Sequence, residues 1–384
     1  MRVTSGRPVI GEIDGLRWLS ITAVVLSHFG LQLARSSGYN ENFTYSHGFA
    51  LFIELCGNGV SIFFCISAFI LALPFIEQYL YNGPKIRLGH YYLRRLTRLE
   101  PPYLLVLTLF LAVQILAMHQ SWRHLLPHYI SSFFYTHNFI YDRRSTINPV
   151  AWTLEIEIQF YLLLPLLVRV FTITRAWLRR GILLLVVLAG AVTYTCYDAF
   201  SARHHFELHA IGYLPVFSMG FLMADVYLQA TRSANGFWQR WWLSPRHVLY
   251  DVAGVTGFLL IVYYNGDDRN FVLLAVYAAY ALLFAAAFKG RLLQWLFTRT
   301  GIMLTGTMCY SIYLLHYAII AFLMEHVTAQ WLSYDYYRDF FVQLLLVLPV
   351  VYILCGGFYA LVEKPCMNNA WPQRLWHWLK SKKG

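Results

Sequence analysis

The chain has 384 residues, of which 58% are hydrophobic and only 13% charged, with a formal net charge of +11. That charged share is about half of what a typical soluble protein carries, which excludes the disordered, collagen-like, disulfide-scaffold and ordinary cytosolic classes. The basic residues sit between apolar runs rather than on one basic domain, so their first meaning is membrane orientation, and nucleic acid is excluded as a partner.

An apolar stretch of about 20 residues is long enough to cross a bilayer as a helix. Ten such spans are predicted: Leu16–Leu33, Gly57–Ile76, Pro101–Met118, Val150–Phe171, Gly181–Asp198, Leu208–Gln229, Val248–Tyr264, Asn270–Phe288, Ile302–Met324 and Phe340–Val362. With both termini in the cytosol, 22 Lys and Arg fall on inner segments and seven on outer ones, while Arg17 lies inside the first span. A missed helix would invert every loop after it, so this asymmetry supports the count and the orientation together. The expected fold is an all-α polytopic transmembrane bundle. It forms a single membrane domain over 1–384, with a transmembrane core of about 16–362 and a cytosolic tail of 363–384.

The first span lacks a small-x-small cleavage site and is expected to be retained. The longest external connection, His119–Pro149, is too short for a soluble domain; its His and aromatic string suggests an interfacial helix or a lid. The six cysteines show no C-x-x-C and read as small core residues, without a disulfide framework or a metal site. His137 and Asp142 match an H-x-x-x-x-D pattern that arises easily by chance in a chain with 14 His. His205, Glu207 and His209 have a metal-compatible spacing, but an external loop is more often simply polar.

An ionisable side chain in the middle of a span costs about 2.5–3.5 kcal/mol on insertion scales, so it normally faces a cavity or a partner. Arg17, His28, Glu157 and His316 stand out on this ground. Arg17 and His28 are eleven residues apart, three helical turns plus about 20°, and share one face. A snorkelling Arg and a core imidazole bonded to a carbonyl are the structural alternatives. At about 1.5 Å per residue His28, Glu157 and His316 lie roughly 18, 20 and 21 Å above the inner surface, in one layer. Glu155 projects about 200° away from Glu157, so one of the two needs a different partner.

These residues resemble acyltransferase family 3, the integral-membrane O-acetyltransferases of surface polysaccharides, peptidoglycan and related acceptors. The resemblance covers nearly the whole chain. It rests on Ile13-Asp14-Gly15-Leu16-Arg17 followed by His28, and on Gly59-Val60-Ser61-Ile62-Phe63-Phe64 with Ile66-Ser67-Ala68-Phe69, where Ala68 replaces the usual Gly. It continues through Arg94-Arg95-Leu96-Thr97-Arg98 before Pro101-Pro102-Tyr103, then Trp152-Thr153-Leu154 with Glu157, Gln159-Phe160-Tyr161 and Pro165. Tyr310-Ser311-Ile312-Tyr313-Leu314-Leu315-His316 and Glu363-Lys364-Pro365 complete the order, and the alignment selects Glu157 over Glu155.

The resemblance implies no tightly bound cofactor, acetyl-CoA or another acyl-CoA as co-substrate, a carbohydrate or cell-envelope acceptor, and a bacterial plasma-membrane location. Arg17, Arg94, Arg95 and Arg98 would then form a cationic mouth for the phosphates of coenzyme A. His28 would deprotonate the acceptor hydroxyl or carry the acyl group itself. Glu157 would orient the imidazole or contact the acceptor, and His316 would form a second polar wall. A transporter of a glycan or lipid-linked sugar is the rival class, because it too needs polar residues at mid-depth, and O-acylation of a lipid or small molecule is a second alternative.

Overall fold

The computed structural model describes residues 9–38, 44, 47–198, 208–232, 236–265, 270–328, 331–333, 335–367 and 371. It is all-helical, with no strand among the described residues. In chain order the main helices are α1 (Gly11–Ser37), α2 (Gly48–Leu55), α3 (Val60–Leu80), α4 (Leu88–Leu116), α5 (Trp122–Phe133), α6 (His137–Tyr141), α7 (Trp152–Leu167) and α8 (Ala176–Asp198). They continue as α9 (Leu214–Arg232), α10 (Phe237–Leu243), α11 (Val248–Tyr264), α12 (Asn270–Lys289), α13 (Leu292–Phe297), α14 (Thr300–Thr307), α15 (Cys309–His326) and α16 (Tyr336–Phe358).

Six helical stretches are long and apolar enough to cross a membrane, or eight if two bent pairs each count as one span. The protein is therefore multi-pass. Each of the ten expected spans falls on a helix or helix pair, but not all reach spanning length. The expected Val150–Phe171 span is a 16-residue α-helix, α7, flanked by tight 3-10 turns at Pro149–Ala151 and Val168–Thr172. The expected Ile302–Met324 span is not continuous: α14 and α15 meet at a bend of 73°. The first turn of α15 is held from outside by Glu363, whose carboxylate accepts from Ser311 N at 3.1 Å and Ser311 Oγ at 2.5 Å. Ser311 N–H is one of the donors a helix start leaves without an intrahelical partner, and an anion there is favourable. Glu363 itself ends a single π-turn, Tyr359–Glu363, that follows α16.

Lipid tails are as apolar as leucine, so the helices are held by close packing rather than by burial from water. Small residues set the closest approaches. A Cβ on Gly15 of α1 would lie 2.2 Å from Phe297 Cβ, and one on Gly306 would lie 1.8 Å from Asp14 O. A Cβ on Gly220 of α9 would lie 2.6 Å from Ala68 Cβ on α3. Ala68 thus keeps a small-residue contact with α9 despite its departure from the family's Gly. Outward-facing leucines such as Leu116, Leu345 and Leu361 are exposed, as a lipid-facing surface requires. Arg179 and Arg180 of α8 both bond the Asp225 carboxylate of α9, at 2.7 and 2.6 Å.

Candidate active site

Among the described residues, two cavities carry expected site residues. The first is lined by Arg17 of α1, Ser67 of α3, Arg95 and Arg98 of α4, Glu157 and Tyr161 of α7, and apolar residues. The second carries His28, Arg143 and Arg144 among aromatic walls that include Trp152, Tyr213 and Tyr277. Val60, Thr153 and Tyr313 belong to both linings. The Thr153 and Tyr313 hydroxyls are hydrogen-bonded at 2.5 Å, so a single polar pair and one valine stand where the two cavities meet.

In the arginine cavity, three of the four expected cations are present. Arg95, Arg98 and Leu99 share the cavity-facing side of α4 through their i, i+3 and i+4 spacing. Arg94 falls just off that face and bonds the His90 ring at 2.9 Å, so it is removed from the expected cluster. Arg95 lies over the Tyr91 and Tyr161 rings, 6.0 and 5.8 Å from their centroids. Nε of Arg95 and Nε of Arg98 are buried without a hydrogen-bond partner, which leaves directional donors for an anionic guest. Arg17 is different: its Nη1 bonds Asp14 Oδ1 at 2.7 Å, and Asp14 is itself buried.

Glu157 belongs to this cavity and not to the histidine one. Its Oε1 accepts from Ser67 Oγ at 2.9 Å and from the Tyr161 hydroxyl one turn along α7. Glu157 therefore does not orient His28, as the shared bilayer layer had suggested. Equal height on three helices says nothing of which way each side chain turns. Glu155 has the other partner that the 200° offset required: Oε2 accepts from Asn138 N at 2.8 Å, tying α6 to α7.

His28 and His316 are brought together. His28 Nδ1 lies 2.8 Å from His316 Nε2, and the rings stack with centroids 5.0 Å apart. The bond pattern fixes both neutral tautomers. His316 Nδ1 lies 2.7 Å from Ile312 O and 3.0 Å from Tyr313 O, and carbonyls only accept, so Nδ1 carries the hydrogen. His316 Nε2 is then the acceptor, and His28 Nδ1 donates to it. The lone pair of His28 is left on Nε2, on a partly exposed ring that lines the second cavity. An imidazole whose N–H is held by a fixed acceptor, with a free lone pair on the far nitrogen, is set up as a general base. The Tyr317 ring packs edge-on at 5.3 Å, and its hydroxyl accepts from Arg35 at 3.1 Å.

Sequence reasoning quoted Ser67, Thr153, Tyr161 and Tyr313 only as parts of motifs, without a role at the site, and gave Arg143 and Arg144 none. A usable signal existed for Tyr161, four residues from Glu157, and for Tyr313, three from His316, since both spacings place side chains on one helix face. His137 and Asp142 line neither cavity. His137 bonds His128 at 2.9 Å, and Asp142 ends α6 in a left-handed conformation. No metal-binding group occurs among the described residues, and His205 and Glu207 lie outside them.

His128 and His137, on α5 and α6, repeat the tautomer logic of the first pair. His137 Nδ1 donates to Arg143 O at 3.1 Å, and its Nε2 faces His128 Nδ1. Burial, against the opposing hydrogen bond to the Arg143 carbonyl and with the His128 and Arg143 charges nearby, pushes His137 down to about 4, and burial lowers His128 as well. In the unfolded chain a histidine takes up its proton near pH 6.5. The unfolded state therefore binds more protons between about 6.5 and 4, and the stability this pair contributes is lost as pH falls through that window. Amide exchange across 122–141, corrected for intrinsic rates, is expected to speed up from pH 7 to pH 4.5 relative to the bundle. His137→Gln should flatten that dependence; an unchanged slope would show that the histidines do not govern it.

A family profile described as an acyltransferase domain matches residues 10–360. The chain is 24% identical to the O-acetyltransferase OatA of Staphylococcus aureus over 337 residues, 82% of this chain and 51% of that protein. It is 24% identical to the putative peptidoglycan O-acetyltransferase YrhL of Bacillus subtilis over 382 residues, 93% of this chain and 54% of the relative. It is 27% identical to the peptidoglycan O-acetyltransferase OatA of Listeria monocytogenes over 194 residues, 48% of this chain and 28% of the relative. The chain thus spans about half or less of the length of these curated relatives. No solved structure matches. With a matched region that contains every cavity-lining residue discussed above, the chain belongs to acyltransferase family 3.

Proposed function

We propose that the protein is a membrane O-acyltransferase that moves an acetyl or related acyl group from acyl-CoA to a hydroxyl of a cell-envelope carbohydrate. The reading is carried by the two cavities that meet at Val60, Thr153 and Tyr313, one bearing arginines and the other a base. Arg17, Arg95 and Arg98 hold the donor's phosphates, and the neutral pantetheine arm runs along the apolar lining toward the Thr153–Tyr313 pair. In the histidine cavity, His28 Nε2 removes the proton of the acceptor hydroxyl as its oxygen bonds the acyl carbonyl carbon. The carbon–sulfur bond breaks, and the departing sulfur takes that proton from His28, so the products are the O-acyl ester and coenzyme A. His316 acts as the orienting acceptor, stabilising the imidazolium through the Nδ1–H bond, a role that a carboxylate fills in many soluble triads.

Purified protein given radiolabelled acetyl-CoA should pass label to a carbohydrate acceptor. Movement of sugar across vesicles without any label transfer would replace this reading with transport.

The relatives' names support an envelope acceptor, and the charge asymmetry supports ten spans with both termini in the cytosol of a bacterial plasma membrane. Reporter fusions after Lys383 and within 119–149 should report opposite compartments. The same compartment for both would end the ten-span arrangement.

A further inference from the structure

The histidine cavity holds two arginines that the catalytic scheme does not use. Arg143 and Arg144 both line it, and neither is paired with a carboxylate among the described residues. Glu54 is the one described carboxylate in the wall, and it bonds neither of them. This contrasts with Arg179 and Arg180, which share Asp225. An arginine left unpaired beside a cavity retains a fork of donors that fits a carboxylate or a phosphate.

Both guanidinium groups are positioned. Arg144 lies over the Trp152 ring, 5.3 Å from its centroid. Arg143 lies over Tyr141 at 5.9 Å, and its Nη2 makes a long contact of 3.4 Å with His128 Nε2. His128 is in turn fixed by His137, which donates back to the Arg143 carbonyl. The outer helices α5 and α6 therefore hold Arg143 through a closed loop of hydrogen bonds. The remaining wall is rich in rings, with Trp152 and Tyr213 6.4 Å apart, faces on which a sugar ring can lie.

We infer that the acceptor is an anionic saccharide whose carboxylate or phosphate is held by Arg143 and Arg144 while a hydroxyl of the same molecule is presented to His28 Nε2. This rests on the acyltransferase reading above and names the substrate class of that site. Arg143 and Arg144 act as specificity-determining residues; they bind the acid group and take no part in the proton transfer.

The test uses purified full-length chain, radiolabelled acetyl-CoA and three probes that share a C6 hydroxyl: N-acetylglucosamine, N-acetylmuramic acid and N-acetylglucosamine 1-phosphate. The first is neutral; the other two carry the anion as carboxylate or phosphate, so whichever is preferred identifies the source. At least about a tenfold advantage in kcat/KM is expected for one anionic probe over the neutral one, expressed mainly in KM. Arg144→Gln and Arg143→Gln should each reduce that advantage to within a few fold while coenzyme A binds as in the parent, and the Lys variants should restore part of it. Equal use of the neutral sugar, or variants that keep the full advantage, would overturn the inference. So would absence of transfer to all three sugars by protein that binds coenzyme A, an outcome that leaves the donor site standing. Protein that fails to bind coenzyme A at all would remove the acyltransferase reading first, and the inference with it.

Discussion

His28→Asn is expected to give a folded protein that binds acetyl-CoA like the parent and transfers acetyl groups about 10²–10⁴ times more slowly. Asn is the appropriate replacement because His28 uses Nδ1 toward His316 Nε2, 2.8 Å away, and an Asn side-chain N–H falls near the position of Nδ1. The contact that fixes the second ring is kept, and the free Nε2 lone pair is deleted. A neutral amide takes up no proton at physiological pH. Were His28 only a core imidazole, its loss would cost about 1–3 kcal/mol of stability, and activity would fall only in proportion to folded protein. Rates are therefore normalised to protein that elutes as a single species and binds coenzyme A. Near-parental transfer by that fraction would assign the proton to another group. Loss of both coenzyme A binding and transfer would mean that His28 supports the bundle as a whole.

That His28 and His316 share one polar layer was legible in the sequence, because each is a costly polar residue inside an apolar span and both fall at one depth; their direct pairing was not. Glu157 met the same criteria and still lies in the other cavity. Depth follows from a rise of about 1.5 Å per residue, but azimuth depends on how each helix is rotated by its neighbours, here by small-residue contacts such as Gly15 against Phe297 and Gly220 against Ala68. Arg94 shows the same limit at shorter range. A run of arginines announces a cation-rich helix start, yet only the turn around Arg95, Arg98 and Leu99 faces the cavity. The break between α14 and α15 was hidden for a different reason. The contact that holds the first turn of α15 comes from Glu363, 52 residues beyond Ser311, and Gly306 beside the break is a weak local signal. Arg143 and Arg144 of the second cavity lie in the turn between α6 and α7, where the period that identifies helix faces is too brief to read.

Arg98→Gln should weaken coenzyme A binding by about 10–100-fold, the effect of losing a charge-assisted contact to phosphate worth roughly 1.5–3 kcal/mol. Among the three cavity arginines it gives the clearest reading. Removing Arg17 would strand the buried Asp14 carboxylate, 2.7 Å from Arg17 Nη1, and an uncompensated buried charge destabilises the fold by itself. Removing Arg95 would strip a cation from the faces of Tyr91 and Tyr161 and disturb the hydroxyl that bonds Glu157. Arg98 lines the cavity, and its buried Nε has no protein partner to leave behind. Its loss should persist at high ionic strength, because salt screens a buried contact much less than a surface one. The decisive comparison is with S-acetylpantetheine, which presents the same thioester without the nucleotide phosphates. Arg98→Gln should use this short donor as well as the parent does while losing efficiency with acetyl-CoA. An equal loss with both donors would mean that Arg98 shapes the cavity rather than meeting phosphate. No loss with either would place the phosphates outside the cavity that Arg98 lines.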